Sequence, residues 1–291
     1  MGCRIIHDYS NLELIQAGVL PEKYKDTINL FVFGMESENG EKGLENLLGI
    51  AVFSPDGSRF SVMNFLHIFV RDKEKENLYA KELFDYAIDQ FRQIAVQTIE
   101  RKEAVEKGEK DRYVSMLSHL GMETDCSNAS LMICRQGSFQ GKSLDKVYEI
   151  ASKMENKIVT IPDYFAAPLS AFWKKNAETK FYISLSEYHP KYSRFYLDNG
   201  EIKAAVLARK LESGDFLIDG CYVDKKSDQP YIIPYLISVI GHSNKDEIDT
   251  SKKLFIRVYK EGMTEALLKF MDEEHRKEVV MKDWVFYKYN L

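Results

Sequence analysis

Short apolar segments bounded by turn residues recur along the chain. Leu47–Phe53 is an uninterrupted apolar run, and Pro55-Asp56-Gly57 follows it with strong turn chemistry. Phe60–Val70 is a second, largely apolar segment, so the two segments predict the strands of a β-hairpin. This hairpin is the first of several elements that indicate a mixed α/β protein.

A long amphipathic helix is predicted beyond the charged stretch that follows this hairpin. Apolar residues recur at spacings of three and four between Leu83 and Ala95, which gives the helix one buried face. Asn77 is the expected N-cap residue, and the helix is expected to run to about Glu100. The other elements expected in this half are a helix over Tyr113–Leu120, its stop at Gly121, and a strand over Leu131–Cys134.

The second half of the chain repeats this order of elements. Its turn signals are Asp198-Asn199-Gly200 and Ser213-Gly214-Asp215. The expected strands are Ile158–Ile161, Arg194–Leu197, Ile202–Ala208, Phe216–Val223, Leu254–Val258 and Trp284–Tyr287, and the expected helices are Ser143–Lys153, Phe165–Lys174, Pro230–Ile240 and Gly262–Glu274. As many positions separate Val70 from Ile133 as separate Val223 from Phe286, so we expect an internal structural repeat.

A glycine-containing segment separates the two halves. Arg135–Gly141 holds two glycines and lacks apolar periodicity, which is typical of a linker. The predicted domains are therefore residues 1–138 and residues 139–291. Each is long enough to bury a core of its own.

The overall composition is that of a globular protein. The chain has 291 residues, of which 45% are apolar and 29% charged. Its net charge is −5 and no basic stripe is present, so no nucleic-acid partner is expected. No apolar run approaches the length of a membrane span, and the N-terminus lacks the pattern of a signal peptide, so no membrane partner is expected.

Several classes of functional site are not indicated by the sequence. The four cysteines form neither a CxxC pair nor a zinc-ligand spacing, so no metal site is expected. The glycine patterns of P-loop and Rossmann nucleotide sites, HExxH and GxSxG are all missing. Scattered cysteines suit a reducing compartment, and the expected location is cytoplasmic. The expected assembly is a monomer or a homodimer.

The segment Val70–Leu83, VRDKEKENLYAKEL, resembles the signature of the GNAT superfamily of acyl-CoA-dependent N-acyltransferases. In that family a strand ends in an apolar residue, a loop of the form Arg/Gln-x-x-Gly-x-Gly/Ala follows, and a helix begins. Backbone N–H groups of the loop and helix start bind the pyrophosphate of coenzyme A, and the helix dipole adds to them. In the order of elements, the resemblance covers Leu47–Cys134 and Arg194–Leu291.

The first half keeps part of this loop. Val70 takes the strand-end position, Lys75 the basic position, Leu78 the first glycine position and Ala80 the second. The resemblance thus implies that acetyl-CoA, or another acyl-CoA, is bound by residues around this loop. They are Phe69, Val70, Lys75, Asn77, Leu78, Tyr79 and Ala80.

The second half fits the loop less well. Asp228, Tyr231 and Ile233 fall on the basic position and the two glycine positions, and Pro230 removes a backbone donor. The first half is therefore the favoured cofactor site. The resemblance implies an α/β (α+β) fold of two tandem GNAT-like domains, each a mixed, mostly antiparallel sheet flanked by helices. The acyl-CoA would lie in a cleft between two splayed central strands.

The resemblance also implies catalytic roles. His67, three residues before the strand end, and Asp219, on the equivalent strand of the second half, are candidates for the general base. Tyr113 is the candidate that protonates the departing thiolate, although the family's tyrosine position falls on Leu117. Each has a structural alternative: a satisfied core histidine, a hydrogen-bonded strand carboxylate and a packing tyrosine.

Three functions remain open from the sequence. The first is an acyl-CoA-dependent N-acyltransferase that transfers an acetyl group to a primary amine of a small molecule, peptide or protein. The second is a catalytically inactive tandem module that keeps the fold for ligand or protein binding. The third is an unrelated α/β hydrolase-like or binding protein.

Overall fold

The computed structural model of the chain describes most of its residues. They are residues 2–37, 43–57, 59–124, 129–139, 142–154, 156–160, 168–169, 171–172, 175, 188–211, 213–224, 232–259 and 262–291. The chain divides into two compact units. The first consists of Met1–Glu103, Glu109–Asp125 and Val285–Leu291, and the second of Ala104–Gly108 and Cys126–Trp284. The domain limits 1–138 and 139–291 stay a prediction.

The first unit is built on a mostly antiparallel sheet. Its strands are β1 (Gly2–Ile5), β2 (Phe31–Glu36), β3 (Leu47–Asp56), β4 (Arg59–Val70), β5 (Thr98–Val105, of which residues 98–103 belong to this unit) and β6 (Glu123–Thr124). They pair in the order β1-β2-β3-β4-β5, antiparallel except for the parallel pair β4–β5. Its helices are α1 (Asn11–Gln16), α2 (Glu76–Gln93) and α3 (Lys110–His119).

Phenylalanine side chains fill the core between this sheet and α2. They are Phe33, Phe53, Phe65, Phe84 and Phe91, and all are almost completely buried. The ring of Phe91 meets those of Phe33 and Phe53 edge-on, with centroids 5.3 and 5.0 Å apart. The apolar face predicted for the helix is therefore the face that packs on β2 and β3.

Both ends of α2 differ from the prediction. The helix begins at Glu76 rather than after an Asn77 cap, because Lys73–Lys75 forms a 3-10 turn whose N-cap is Asp72. It ends at Gln93 rather than near Glu100. Ala95 adopts a left-handed backbone with φ of 60°, which breaks the helix, and the chain then enters β5.

The second unit contains another mixed sheet. Its strands are β7 (Ser130–Arg135), β8 (Ile158–Val159), β9 (Arg194–Asp198), β10 (Glu201–Lys210), β11 (Phe216–Val223), β12 (Lys253–Val258) and the first residues of β13 (Val280–Asn290). Their order is β13-β7-β12-β11-β10-β9-β8, and only β11 and β12 pair in parallel. Its helices are α4 (Lys142–Ala151), α5 (Ile232–Ser243), α6 (Met263–Leu268) and α7 (Glu273–Lys277).

Some predicted elements of this unit are corrected by the structure. Helix α5 passes through Gly241 and ends at Ser243, and the helix predicted over Gly262–Glu274 is broken into α6 and α7 by the turn at residues 269–272. Pro230 and most of the helix predicted over Phe165–Lys174 lie outside the described residues.

The segment predicted to be a linker is part of the core of the second unit. Gln136–Phe139 forms a buried 3-10 helix. The amide group of Gln136 donates to the carbonyl of Gly214 (3.0 Å) and accepts from the backbone N–H of Asp249 (3.2 Å). These hydrogen bonds hold a polar, glycine-containing segment in a packed position, which its composition alone did not indicate.

The turn predicted between β9 and β10 is confirmed. Asn199 and Gly200 both have positive φ, 51° and 79°, and Asp198 pairs directly with Glu201. This is the two-residue turn whose twist matches that of the flanking strands.

We expect Gly200→Ala to lower the free energy of unfolding by about 1 kcal/mol, because an L-residue is strained in this backbone conformation. Gly57→Ala is the matched control in the β3–β4 turn, where φ is not left-handed and the added methyl meets open space. Urea unfolding measures both. Equal stabilities of the two variants would contradict the turn assignment.

Candidate functional site

Strands β4 and β5 pair only at their beginnings. The backbone pairs between them are Val62 with Thr98, Met63 with Ile99 and Asn64 with Glu100. Beyond Asn64 and Glu100 these two strands form no further pair. Leu66 is an extra residue in β4, since Phe65 pairs with Phe53 and His67 with Val52. Such a bulge bends a strand away from its neighbour. The two central strands therefore part beyond Asn64 and Glu100, and we call this place the first divergence.

Arg101 occupies the first divergence. It is the first residue of β5 beyond the paired segment and is 6% exposed. Its Nη1 donates to the carbonyls of Phe65 (2.9 Å) and of the bulge residue Leu66, and its Nη2 binds Glu103. The Leu66 carbonyl also accepts a hydrogen bond from the Tyr24 hydroxyl (2.7 Å). Its Nε is buried and has no hydrogen-bond partner among the residues that the structure describes.

A cavity of about 350 Å³ opens at the first divergence. The side chains that give it its character are Lys23, Tyr24, Leu66, Arg101, Lys102 and Glu103. Lys23 Nζ lies 2.7 Å from Glu103 Oε1. Although burial opposes it, the positive charges of Arg101 and Lys23 hold the pKa of Glu103 below its usual value. The carboxylate is therefore ionised at neutral pH.

His67, a candidate base, lies beside the bulge and close to the cavity. Its ring is 6.4 Å from that of Tyr24, and its Nε2 is 3.2 Å from the carbonyl oxygen of Val19. Burial, and next the charge of Arg101, lower the pKa of His67 to about 4. The imidazole is thus neutral at pH 7, with Nε2 as the donor and Nδ1 left as the acceptor.

Tyr113, the candidate acid, also lies near the first divergence. Its ring centroid is 5.9 Å from the guanidinium carbon of Arg101, and α3 carries it. The fold thus places Tyr113 near Arg101, and it places His67 next to the bulge residue of β4, where the charge of Arg101 also acts on it. Asp219 belongs to the second unit.

The predicted cofactor loop leads from β4 into α2. Val70 is buried at the strand end, and Phe69 packs under the ammonium group of Lys73 (6.0 Å). Leu78 is 55% exposed, so it does not fill a cleft, whereas Tyr79 and Ala80 are buried in the helix packing. This arrangement leaves the start of an 18-residue helix accessible.

The loop charges, however, are already paired. Lys75 Nζ lies 3.8 Å from Asp72 and Lys73 Nζ 2.9 Å from Glu76. The carboxylate of Asp72 also accepts the backbone N–H of Glu74 (3.0 Å). The backbone carbonyl oxygen of Asn77 lies 3.2 Å from Nε2 of His119, and Asn77 is not the N-cap of the helix. An anion bound here would compete with Asp72 for the same donors.

The second unit repeats this geometry. Strands β11 and β12 pair only from Phe216 to Ile218 with residues 254–256. Asp219 is the bulge residue, because Ile218 pairs with Ala208 and Gly220 with Leu207. Asp219 follows Leu66 by as many positions as Val223 follows Val70. Arg257 is the first residue of β12 beyond the pairing, and its Nη1 binds Asp219 Oδ1. We call this place the second divergence.

Asp219 is enclosed at the second divergence. It is 1% exposed, and besides Arg257 it lies 3.8 Å from Arg209 and accepts a hydrogen bond from Tyr188 (3.4 Å). Burial disfavours the charged form of Arg257, but the neighbouring carboxylate of Asp219 holds the pKa of Arg257 above its ordinary value. The guanidinium of Arg257 also stacks on Trp284 at 4.2 Å. This environment favours the structural alternative for Asp219 over the role of base.

A smaller cavity of about 80 Å³ lies under α5 in the second unit. Its walls are almost wholly apolar and include Phe139, Ile218, Ile237 and Leu254.

No helix in the described part of the chain is both long and apolar enough to cross a membrane. Within the same part, no three His, Cys, Asp or Glu side chains cluster as metal ligands would.

The chain resembles solved structures in fold. A functionally unknown conserved protein from Staphylococcus epidermidis is 10% identical, with 88% of this chain and 93% of that chain covered and a TM-score of 0.50. A tandem GNAT protein from the clavulanic acid biosynthesis pathway is 9% identical over 99% and 98% of the two chains, with a TM-score of 0.44. A GCN5-related N-acetyltransferase from Sphaerobacter thermophilus is 11% identical over 99% and 95%, with a TM-score of 0.43.

The mixed α/β fold expected from the sequence, with mostly antiparallel sheets and flanking helices, is the fold that the structure shows. At these identities the likeness concerns the fold alone. No family model matches the sequence, and no curated protein sequence is similar to it.

Sequence reasoning missed the arginines at the two divergences. Arg101 follows the end predicted for the long helix, near Glu100, and Arg257 is one polar residue in the strand predicted over Leu254–Val258. For Arg257 the available signal was a basic residue between the apolar residues Ile256 and Val258, whereas Arg101 stands between Glu100 and Lys102 and has no such signal. A basic residue between apolar strand residues needs a buried partner.

We expect Asp219→Asn and Arg257→Met each to lower the free energy of unfolding by about 3 kcal/mol or more, because each leaves a buried charge unpaired. The double variant should lose less than the sum. Urea denaturation of the singles and the double measures the coupling. Asp198→Asn, at an exposed pair with Lys157 (2.7 Å), is the control and should cost far less. Additive losses would contradict the pairing.

We expect His67 to make the protein less stable in acid. Its native pKa of about 4 lies below the ordinary 6.5, so the unfolded state binds the proton first as pH falls from 6.5 towards 4. The full effect corresponds to about 3 kcal/mol. Stability measured from pH 7 to pH 4 should fall less steeply in His67→Gln than in the wild type. Parallel curves would refute the lowered pKa.

Proposed function

We propose that the first unit binds an acyl-CoA, most simply acetyl-CoA, and transfers its acyl group to a primary amine. The observation that carries this proposal is the first divergence itself. A bulged strand parts from its parallel neighbour beside a cavity of about 350 Å³, and the bulged strand leads directly into the start of an 18-residue helix. The fold likeness to GNAT proteins supports the same conclusion.

The start of α2 would hold the diphosphate of the acyl-CoA. The first N–H groups of a helix are free to bind an anion, and Lys73 and Lys75 are exposed beside them. The ligand would have to displace Asp72 from the N–H of Glu74 and separate the two lysines from their carboxylates. The residues at the start of α2 can therefore hold the diphosphate of an acyl-CoA. Because the diphosphate must compete with Asp72 and with the lysines' own carboxylate partners, we expect a modest affinity.

The residues at the first divergence would handle the protons of the reaction. The bound acyl-CoA supplies an acyl group activated as a thioester. His67 is neutral at pH 7, and its Nδ1 would accept the proton that the attacking amine releases. The Tyr113 hydroxyl would give a proton to the leaving sulfur. Arg101 would hold the bulge in β4 in place through the Leu66 carbonyl, which makes it a positioning residue.

A second candidate function is a binding module without catalysis. The self-paired lysines of the loop favour it, because they offer an incoming phosphate no preformed positive site. The enclosed ion pair of Asp219 and Arg257 favours a purely structural second unit in either case. We further propose that the protein is cytoplasmic, that it is a monomer or a homodimer, and that its acceptor substrate is an amine.

We expect acetyl-CoA to bind the full chain in isothermal titration calorimetry. Asp72→Asn should raise the affinity about threefold, because it removes the competing charge but keeps a capping oxygen. Lys75→Glu should lower it about tenfold. Lys81→Glu, more than a turn further along α2 and paired with Asp85, is the control and should change little.

Three outcomes decide between the candidates. No binding of acetyl-CoA by the wild type removes the enzyme. Binding that is indifferent to Asp72 and Lys75 shows that the diphosphate lies elsewhere. Binding without thiol release in the presence of a panel of primary amines favours the module.

A further inference from the structure

The cavity at the first divergence carries an excess of positive charge. Of its charged lining residues, Lys23, Arg101 and Lys102 are basic and Glu103 is acidic. Lys102 and Arg59 both pair with Glu100, and Arg59 also pairs with Asp56, so these four charges balance. Lys23 and Arg101 share the single carboxylate of Glu103. Among the described residues, one positive charge at the cavity wall therefore has no counter-charge of its own.

Arg101 also has a donor to spare. Only 6% of the residue is exposed, and its Nη groups donate hydrogen bonds to two backbone carbonyls and to the carboxylate of Glu103. Its Nε is buried, and no residue in the described part of the chain accepts a hydrogen bond from it. A buried charge whose donors are incompletely satisfied is costly, and a negative charge in the adjoining cavity would compensate it electrostatically.

Lys23 supplies a second, more adaptable donor. Its side chain is 56% exposed at the mouth of the cavity, and its ammonium group lies 5.1 Å from the ring centroid of Tyr24. An ammonium group has three protons, so Lys23 keeps donors for a ligand beyond the bond to Glu103. Thr27 and Ser54 add hydroxyl groups to the same wall.

The charge balance selects a monoanion. One uncompensated positive charge neutralises one carboxylate, whereas a phosphate dianion would leave a net negative charge next to Glu103 and would be repelled more strongly. The remaining wall, formed by Tyr24, Phe65 and Leu66, is largely apolar. An organic acid with an apolar body matches both parts of this lining.

We infer that the cavity at the first divergence binds an organic carboxylate between Arg101 and Lys23. This inference rests on the proposed function only in one respect: if the first unit transfers an acyl group, the acceptor amine is one that also carries a carboxylate. Carboxylate binding itself is independent of acyl-CoA.

The test is isothermal titration calorimetry of the full chain, without acyl-CoA, with 3-phenylpropanoate as the probe. 3-Phenylpropanamide has the same shape without the charge, and inorganic phosphate supplies a different anion. We expect the acid to bind at least about tenfold more tightly than the amide, and to bind less tightly as salt is added. Equal affinities for the acid and the amide, or tighter binding of phosphate, would overturn the inference.

Variants of the wall locate the site. Lys23→Met should weaken 3-phenylpropanoate binding about fivefold or more, and Glu103→Gln should strengthen it, because it removes the competing carboxylate. Lys25→Met is the matched control, since Lys25 is exposed two residues away and does not line the cavity. An equal effect of Lys25→Met and Lys23→Met places the binding elsewhere and sinks the inference.

The two proposals fail separately. Carboxylate binding without any acetyl-CoA binding leaves this inference intact and removes the acyltransferase. Acetyl-CoA binding and thiol release with amines, but no heat with 3-phenylpropanoate at its solubility limit, removes this inference alone.

Discussion

A buried guanidinium at the point where two parallel strands part is the interaction on which each unit depends. In both units the inner strand carries a bulge, and the bulge exposes one oxygen acceptor to an arginine on the neighbouring strand. Separated strands have lost their ladder of hydrogen bonds, so their polar groups need other partners. Arg101 supplies partners for the carbonyls of Phe65 and Leu66, whereas Arg257 pairs with the side chain of Asp219. In both units the strand pairing ends immediately before the arginine.

The two units answer the same constraint with different chemistry. At the first divergence the acceptor is a neutral backbone carbonyl, which leaves the charge of Arg101 partly uncompensated. At the second it is the carboxylate of Asp219, which compensates Arg257 directly. The first arrangement accompanies an open polar cavity and the second an enclosed ion pair. One substitution at the bulge, leucine against aspartate, therefore separates a place suited to ligands from one suited to stability.

The sequence predicted those elements whose signals are local. The Asn199-Gly200 turn, the β3–β4 hairpin and the apolar face of α2 follow from residue types and spacing, and the structure confirms them. Strand β5 was missed because its charged residues form ion pairs with residues far along the chain, such as Arg59 with Glu100. Strands β1 and β2 and helix α1 had no prediction. The polar centre of each divergence depends on the register between strands, which no local pattern contains.

The small apolar cavity under α5 has a mechanical consequence. This cavity of about 80 Å³ is lined almost wholly by apolar side chains such as Ile237 and Leu254, with Gln136 and Asn244 as polar neighbours, so it offers water few hydrogen-bond partners. Unfolding fills such a void with solvent and reduces the total volume, and hydrostatic pressure favours the smaller volume. The second unit, despite its enclosed ion pair, therefore carries a built-in sensitivity to compression that its resistance to heat or denaturant would not reveal.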